Sequence, residues 1–324
     1  MTVSARVHGS VAAAHDLPPE LADRIFTRGE ALAAGLTPAM LRGSRVERVE
    51  RGLFRYVGGG RDPLEPLRTA IRIAPHAAIS HISSLELRGF SMGPCLPVHV
   101  ATNRPHQVRR TPAVIVHRHQ GELEREQFRG IPVLGAERTF VDCGTLFGLA
   151  DLVAAGDWLV ARRMSTVQSL RTYSERVHLD GVQRARVAAE LIRERSESVR
   201  ESIARFHLVA RGLPEPDPNL EILDAHDGFV ARGDVPFPQW KVLVEYDSWY
   251  HERDAVQRQY DILRRERLEA QGWLVIVLTS ADVAHPDRMA WRVYNALCSR
   301  GYSGPTPRLD PRFARWMRSN SGNR

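Results

Sequence analysis

FVARGDVPFPQWKVLVEYD, residues 229–247, holds two apolar-rich segments that each run into an acid. The first, Phe229 to Val235, reaches Asp234. The second, Trp240 to Asp247, reaches Glu245 and Asp247, which lie two apart and so share one strand face. If the two strands are neighbours, Asp234 and Glu245 converge at one sheet edge. Glu245 interrupts an otherwise core-like strand pattern, and an ionised group near a core needs a partner or a metal. Convergent carboxylates with open water positions suit magnesium, which takes one or two protein carboxylates and keeps several waters. Spacing alone fits a second arrangement equally well, in which these acids pair with arginines of the following helix, where Asp261, Arg264 and Arg265 stand.

Working outward, NLEILD (219–224) reads as a strand, and Asp227-Gly228 is a hairpin turn signal back into the quoted stretch. Upstream, a helix over 196–212 is capped by Ser198 above Glu201 and ended by Gly212. Downstream, a helix runs from about Glu252 to Gln271, with Gly272 in the position that ends it. WLVIVL (273–278) is a continuous apolar strand expected to be buried on both faces. A last helix covers about 287–299, and the tail beyond Pro305 is expected to fray. The order is α-β-β-β-α-β-α.

The N-terminal part, residues 18–60, reads as helix (Pro18 to Phe26), a helix capped by Thr27 and ending near Gly35, and a third starting at Thr37-Pro38. A hairpin follows in RVERVERGLFRYV (45–57), turning at Arg51-Gly52. This is the order of a winged helix-turn-helix. Arg42, Arg45, Arg48, Arg51 and Arg55 make it basic, so Arg42, Arg45 and Arg48 are candidate DNA contacts. The other reading is a small helical domain with solvated arginines. Residues 64–182 form a mixed α/β middle region, with strands at VHVAT (98–102) and AVIVHRH (113–119) and helices at LRTAIRIA and LADLVAAGDWLVARR. His117 and His119 share a strand face but show no third ligand nearby, so an exposed strand face is expected there.

The whole chain has 324 residues, enough for two or three domains. Its 43% hydrophobic and 26% charged residues exclude global disorder. A net charge of +7 favours polyanionic partners. No apolar run approaches the roughly 20 residues that span a bilayer, and the first residues lack the order of a signal peptide. A cytoplasmic protein without membrane association is expected. Cys95, Cys143 and Cys298 form no CxxC pair, which argues against a disulfide framework or a cysteine zinc site.

Two family resemblances sharpen these expectations. TRGEALAAGLTPAMLRGSRVERVERGLFRYV, SHISSLELRGF and VLGAERTFVDC, within residues 20–175, resemble the AbiEi-type antitoxin-like proteins of bacteria. There a winged helix precedes an α/β domain, and members act as repressors or antitoxins. The resemblance implies DNA as a partner, together with a cognate toxin or a second copy. Residues 198–283 resemble the PD-(D/E)XK nuclease superfamily, nearest the very short patch repair endonucleases. The motifs are Glu201, Ser202 and Arg205; GLPEPDPN; ARGDVPFP; VLVEYDSWYH; Asp261 with Arg264 and Arg265; and GWLVIVLTSADV. This resemblance implies an αβββαβ restriction-endonuclease-like core at 192–302, and a fold class of α/β (α+β) overall. It also implies that Asp234 and Glu245 bind Mg2+ or Mn2+, and that Glu201 supports them. The lysine usual after the second acid is absent, and Asp247 stands there instead. Lys241 shares the strand face but lies four residues earlier. Asp247 and His251 are therefore the candidates for proton transfer, a histidine being suited to it near neutral pH. Arg264 and Arg265 are candidates for phosphate contact. Ser248 replaces a glycine frequent in this branch. The expected function is metal-dependent endonucleolytic cleavage of DNA in phage defence or repair. The alternative is a non-enzymatic, antitoxin-like DNA-binding regulator built on an inactive nuclease fold.

Overall fold

The computed structural model describes residues 18–58, 62–91, 97–104, 111–194, 198–217, 220–223, 228–246 and 255–318. The chain is mixed α/β. In the N-terminal part, Pro19–Leu21 forms a single 3-10 turn, followed by β1 (Phe26–Thr27) and α1 (Arg28–Ala33). A second 3-10 turn, Met40–Arg42, precedes β2 (Val46–Glu50) and β3 (Leu53–Tyr56). Thr27 and Glu30 form the reciprocal capping box that starts α1. The hairpin forms around Gly52, whose φ of +83° suits a residue without Cβ. The first and third expected helices are corrected to 3-10 turns. Phe26 leaves helical geometry because it pairs with Phe54 at the sheet edge and is fully buried there.

The middle part contains α2 (Glu65–Ile73), β4 (Ala78–Ile79), α3 (His81–Leu87), β5 (Val98–Thr102) and β6 (Val114–Arg118). After these come β7 (Glu126–Phe128), β8 (Ile131–Val133), α4 (Ala136–Cys143), α5 (Leu149–Ala161), α6 (Val167–Arg176) and α7 (Val182–Leu191). Five strands form one mixed sheet in the order β6-β5-β4-β8-β7. Val98, Val100 and Val114 pack with α2 on one face, through Leu67, Ala70 and Ile73. The alternate residues, His99, Ala101 and His117, therefore line the other face.

The next helix, α8 (Val199–Val209), starts as read, with Ser198 Oγ accepting the Glu201 amide at 3.1 Å. It serves two cores. Phe206 and Ala210 join the helical core of α3 to α7, while Ala204 and Leu208 join the core of the C-terminal sheet. Arg205, 3% exposed, pairs at 2.9 Å with Asp157 of α5, which is fully buried. A boundary at residue 192 thus falls inside continuous packing.

The C-terminal part continues with β9 (Glu221–Leu223), β10 (Phe229–Arg232), β11 (Val235–Phe237), β12 (Val242–Tyr246), α9 (Ala255–Ala270) and β13 (Leu274–Leu278). Then follow α10 (Ser280–Val283), α11 (Pro286–Ser299) and α12 (Pro311–Ala314). The single strand expected over 229–235 is split. β10 pairs with β9, and β11 joins a sheet ordered β11-β12-β13. The break falls at Gly233, where an added Cβ would sit 2.7 Å from Leu243 Cδ1. The tail does not fray over its described length. Phe313, Leu309 and Trp316 pack onto the middle core, Leu149 N donates to Trp316 O at 2.8 Å, and Asp310 N donates to Ala210 O at 2.9 Å. Its scattered apolar residues look weak in sequence because their partners lie more than a hundred residues upstream.

Removing one partner of a buried ion pair strands the other charge, at a cost of about 3–5 kcal/mol, whereas replacing both with apolar groups is often neutral. Asp157→Ala is expected to lower unfolding free energy by that amount in urea titrations, and Asp157→Leu combined with Arg205→Met to recover most of it. A change below about 1 kcal/mol for the single variant would mean that this pair does not hold α8 to α5.

Candidate functional site

Strand β12 lies centrally, antiparallel to β11 and parallel to β13. The β11 register sets Val235 against Val244, Pro236 against Leu243 and Phe237 against Val242. Continued one step outward, it sets Asp234 against Glu245 on the same face, the separation at which cross-strand side chains interact. Val235, Phe237, Val242 and Val244 face the core beneath α8 and α11, while Leu243 faces Leu268 of α9. The two acids therefore lie on the α9 side. Asp234 Oδ2 also accepts the Tyr246 amide at 3.1 Å, which pins this carboxylate to the strand end.

Glu245 is half-buried, and its carboxyl is raised above the ordinary carboxylate range. Burial is the main cause and the charge of Asp234 adds to it, while Arg264 and Arg265 oppose it. Arg264 Nη1 lies 2.6 Å from Glu245 Oε1, and Arg264 Nη2 donates to Arg232 O at 2.9 Å. The charges touch, yet among the described residues Oε1, sealed from solvent, has no well-aligned hydrogen bond. The arginine pairing that spacing allowed is thus present at Glu245. Arg265 turns away and pairs with Glu269 at 3.0 Å.

The other expected site residues are dispersed. Glu201 belongs to α8, which covers the opposite face of the sheet. The neighbouring Arg200 donates to Tyr246 Oη at 2.9 Å and stacks on its ring. Lys241 Nζ donates to Gln271 O at 3.0 Å, at the far end of β12 from the acids. Asp247, His251 and the side chain of Asp261 lie outside the described residues. In the N-terminal part, Arg42, Arg45 and Arg48 are exposed. Arg55 is held by Glu47 and Glu65.

A second cluster escaped the sequence reading. His117 does not sit on an exposed strand face. It is half-buried, its ring stacks on His81 with centroids 3.6 Å apart, and its Nε2 lies 2.9 Å from His99 Nδ1. The three rings offer nitrogen atoms that all lie within 4.8 Å of one another. Burial pushes His81 well below the usual imidazole range, aided by its two histidine neighbours and Arg138. Burial likewise brings His99 and His117 down to about 4. At neutral pH all three are uncharged. His119, beyond the end of β6, instead contacts Arg138 Nη2 at 3.3 Å, and Arg138 Nε pairs with Asp142 at 2.8 Å. The available signal was the histidine at the start of SHISS and the one inside VHVAT. Neither is informative until β4, β5 and β6 are known to be adjacent.

No protein-family model matches the chain. Over 114 residues it is 30% identical to two uncharacterized proteins of Mycobacterium tuberculosis, one from strain CDC 1551 / Oshkosh and one from strain H37Rv. The match covers 35% of this chain and spans 42% of the length of each relative. Among the described residues, no helix is long and apolar enough to cross a membrane.

Because the Glu245 carboxyl is raised in the folded protein, its stabilising contribution is complete below its ordinary value of 4.5 and is lost as pH rises through the folded value. Arg264→Ala removes the main opposing charge and moves that loss to higher pH. It is expected to lower stability by about 1–3 kcal/mol near neutral pH, the usual penalty for an unsatisfied buried acceptor, and by less near pH 5. Adding Glu245→Gln should flatten the difference. Denaturant unfolding across this pH range measures both effects, and a pH-independent loss would place the arginine's role elsewhere.

Proposed function

We propose that this chain is a divalent-metal-dependent, DNA-hydrolysing protein whose metal-binding acids are Asp234 and Glu245. The observation that carries the reading is the proximity of the two acids at one end of the sheet, where Asp234 accepts the amide of Tyr246, the residue after Glu245, and its charge helps raise the Glu245 carboxyl. Hard oxygen donors of this kind fit Mg2+ or Mn2+. When bound there, such an ion supplies activation of water and stabilisation of charge on a phosphodiester.

The chain's own residues do the rest. Asp234 is held at the end of the sheet by the Tyr246 amide, beside Glu245. Arg264 neutralises Glu245 in the metal-free protein and becomes available to a phosphate when a cation takes its place. Arg265 adds charge on the same helix. Asp247 and His251 are the proposed proton-transfer groups; Glu201, which the motif resemblance would make a supporting acid, belongs to the helix on the other face of the sheet. Arg42, Arg45 and Arg48 offer exposed charge for the DNA backbone, on the winged-helix reading of the hairpin and short helices. Membership of the PD-(D/E)XK and AbiEi-type groups, a role in phage defence or repair, a cytoplasmic location and a cognate toxin or second copy as partner are proposed from the motif resemblance.

The ion pair between Arg264 and Glu245 favours a second reading. A carboxylate already neutralised suits a non-enzymatic, antitoxin-like regulator that keeps the nuclease fold for DNA binding.

Asp234→Asn and Glu245→Gln are each expected to abolish Mg2+- or Mn2+-dependent cleavage of plasmid DNA with the fold retained by circular dichroism. Replacing Arg42, Arg45 and Arg48 by glutamine should weaken DNA binding and flatten its salt dependence, since each phosphate contact releases counterions. Wild-type protein that binds DNA but cleaves nothing in either metal supports the regulator. An active Glu245→Gln variant refutes the assignment.

A further inference from the structure

The three histidines of the middle sheet lie outside the carboxylate site, and nothing in the proposed hydrolysis uses them. We propose that His81, His99 and His117 form a transition-metal site that takes Zn2+, with a fourth position open to water or a ligand on the side of the half-buried His117.

Three elements supply the ligands. His81 is the first residue of α3, His99 lies on β5 and His117 on β6. The parallel β5–β6 register sets Ala101 against His117, so His99 is its diagonal neighbour on the same face. Four-coordinate zinc bonds imidazole nitrogen at about 2.0–2.1 Å, which separates ligand nitrogens by about 3.3 Å. The nitrogens here lie 2.9 Å apart for His99 and His117, and within 4.8 Å for the set. Bringing all three nitrogens onto one ion takes side-chain rotation that also opens the stacked His81 and His117 rings, whose centroids lie 3.6 Å apart. Imidazole binds metal in its neutral form.

Two features distinguish the cluster from ordinary packing. The first is orientation of the His81 ring by a neighbouring hydroxyl. His81 Nδ1 lies 2.9 Å from Ser80 Oγ, which leaves Nε2 as the ligand atom when Nδ1 carries the proton, and Ser83 Oγ accepts the His99 amide at 3.0 Å, tying α3 to β5. Metal-bound histidines are commonly fixed through the other ring nitrogen in this way. The second is strain. His81 has φ +51°, in the left-handed region that non-glycine residues rarely adopt, and such strain persists where surrounding structure enforces it, often at functional sites. An aliphatic trio would fill the same space without burying polar rings. The nearby positive charge of Arg138 is offset by its pairing with Asp142. Nitrogen ligands favour zinc and its neighbours over magnesium, so this site and the carboxylate pair select different ions.

The test uses the full chain, stripped with chelator and titrated with Co2+ alone, followed by Zn2+ in competition. One equivalent of Co2+ is expected to give the visible absorption of a tetrahedral site and to be displaced by Zn2+. The double variant Asp234→Asn/Glu245→Gln should bind it unchanged. Ser80→Ala should weaken binding by about 10–100-fold, and His117→Gln by more than that range. X-ray absorption of the zinc-loaded wild type should report three imidazole nitrogens, independently of how any variant folds. The proposal fails if wild-type protein takes up no tight equivalent. It also fails if the spectrum reports oxygen donors only, or if His117→Gln binds as the wild type does.

Discussion

The buried pairing of Arg205 with Asp157 fixes where everything else in the C-terminal half stands. Both side chains are sealed from water. Burial pushes the Asp157 carboxyl up, while Arg205, the Arg193 amide and Ser202 hold it down. Arg205 also donates to Leu191 O and to Glu215, so a single guanidinium ties α5, the end of α7 and the segment after α8. A buried ion pair adds little net stability compared with apolar packing, but it tolerates few alternative arrangements. Here it sets the position of α8, and α8 in turn is the surface on which Val235, Val242 and Val244 pack.

That constraint reaches the carboxylate pair through the sheet. With the alternate residues of β11 and β12 committed to the α8 side, Asp234 and Glu245 must face α9. There α9 offers Arg264, and the acid meets a cation whether or not a metal is present. Two like charges at one strand end repel, which helps explain why Glu245 holds its proton more tightly than an isolated carboxylate. The guanidinium of Arg264 neutralises this end of the sheet, and the proposed function turns on whether a divalent cation can displace it. The choice between catalysis and DNA binding rests on which cation wins.

The histidine cluster follows a different logic. Its groups are neutral, so burial costs less and no counter-ion is needed. The sheet brings His99 and His117 together by register, and α3 adds His81 through a strained first residue. The carboxylate pair is a charge problem solved at one end of a central strand, whereas the histidines are a geometry problem solved at a sheet face.

What the sequence determined by itself is local. The caps at Thr27 and Ser198, the turns at Gly52 and Gly272, the strand 242–246 and the helix ending at Ala270 follow from residue preferences within a few positions. Most of the convergence of Asp234 with Glu245 was also legible, because a short connection joins β11 to β12 and period-two alternation fixes which residues share a face. The tertiary structure decided what depends on distant partners. Phe26 became a strand residue because Phe54 was available to pair with it. Residues 306–318 are held in place because Phe313 and Trp316 pack on the middle core. His117 became half-buried because His81 and His99 arrive from a helix and a strand that no spacing rule places beside it. Alternation and capping act over a few residues, while burial and register across non-adjacent strands arise only once the whole chain has packed.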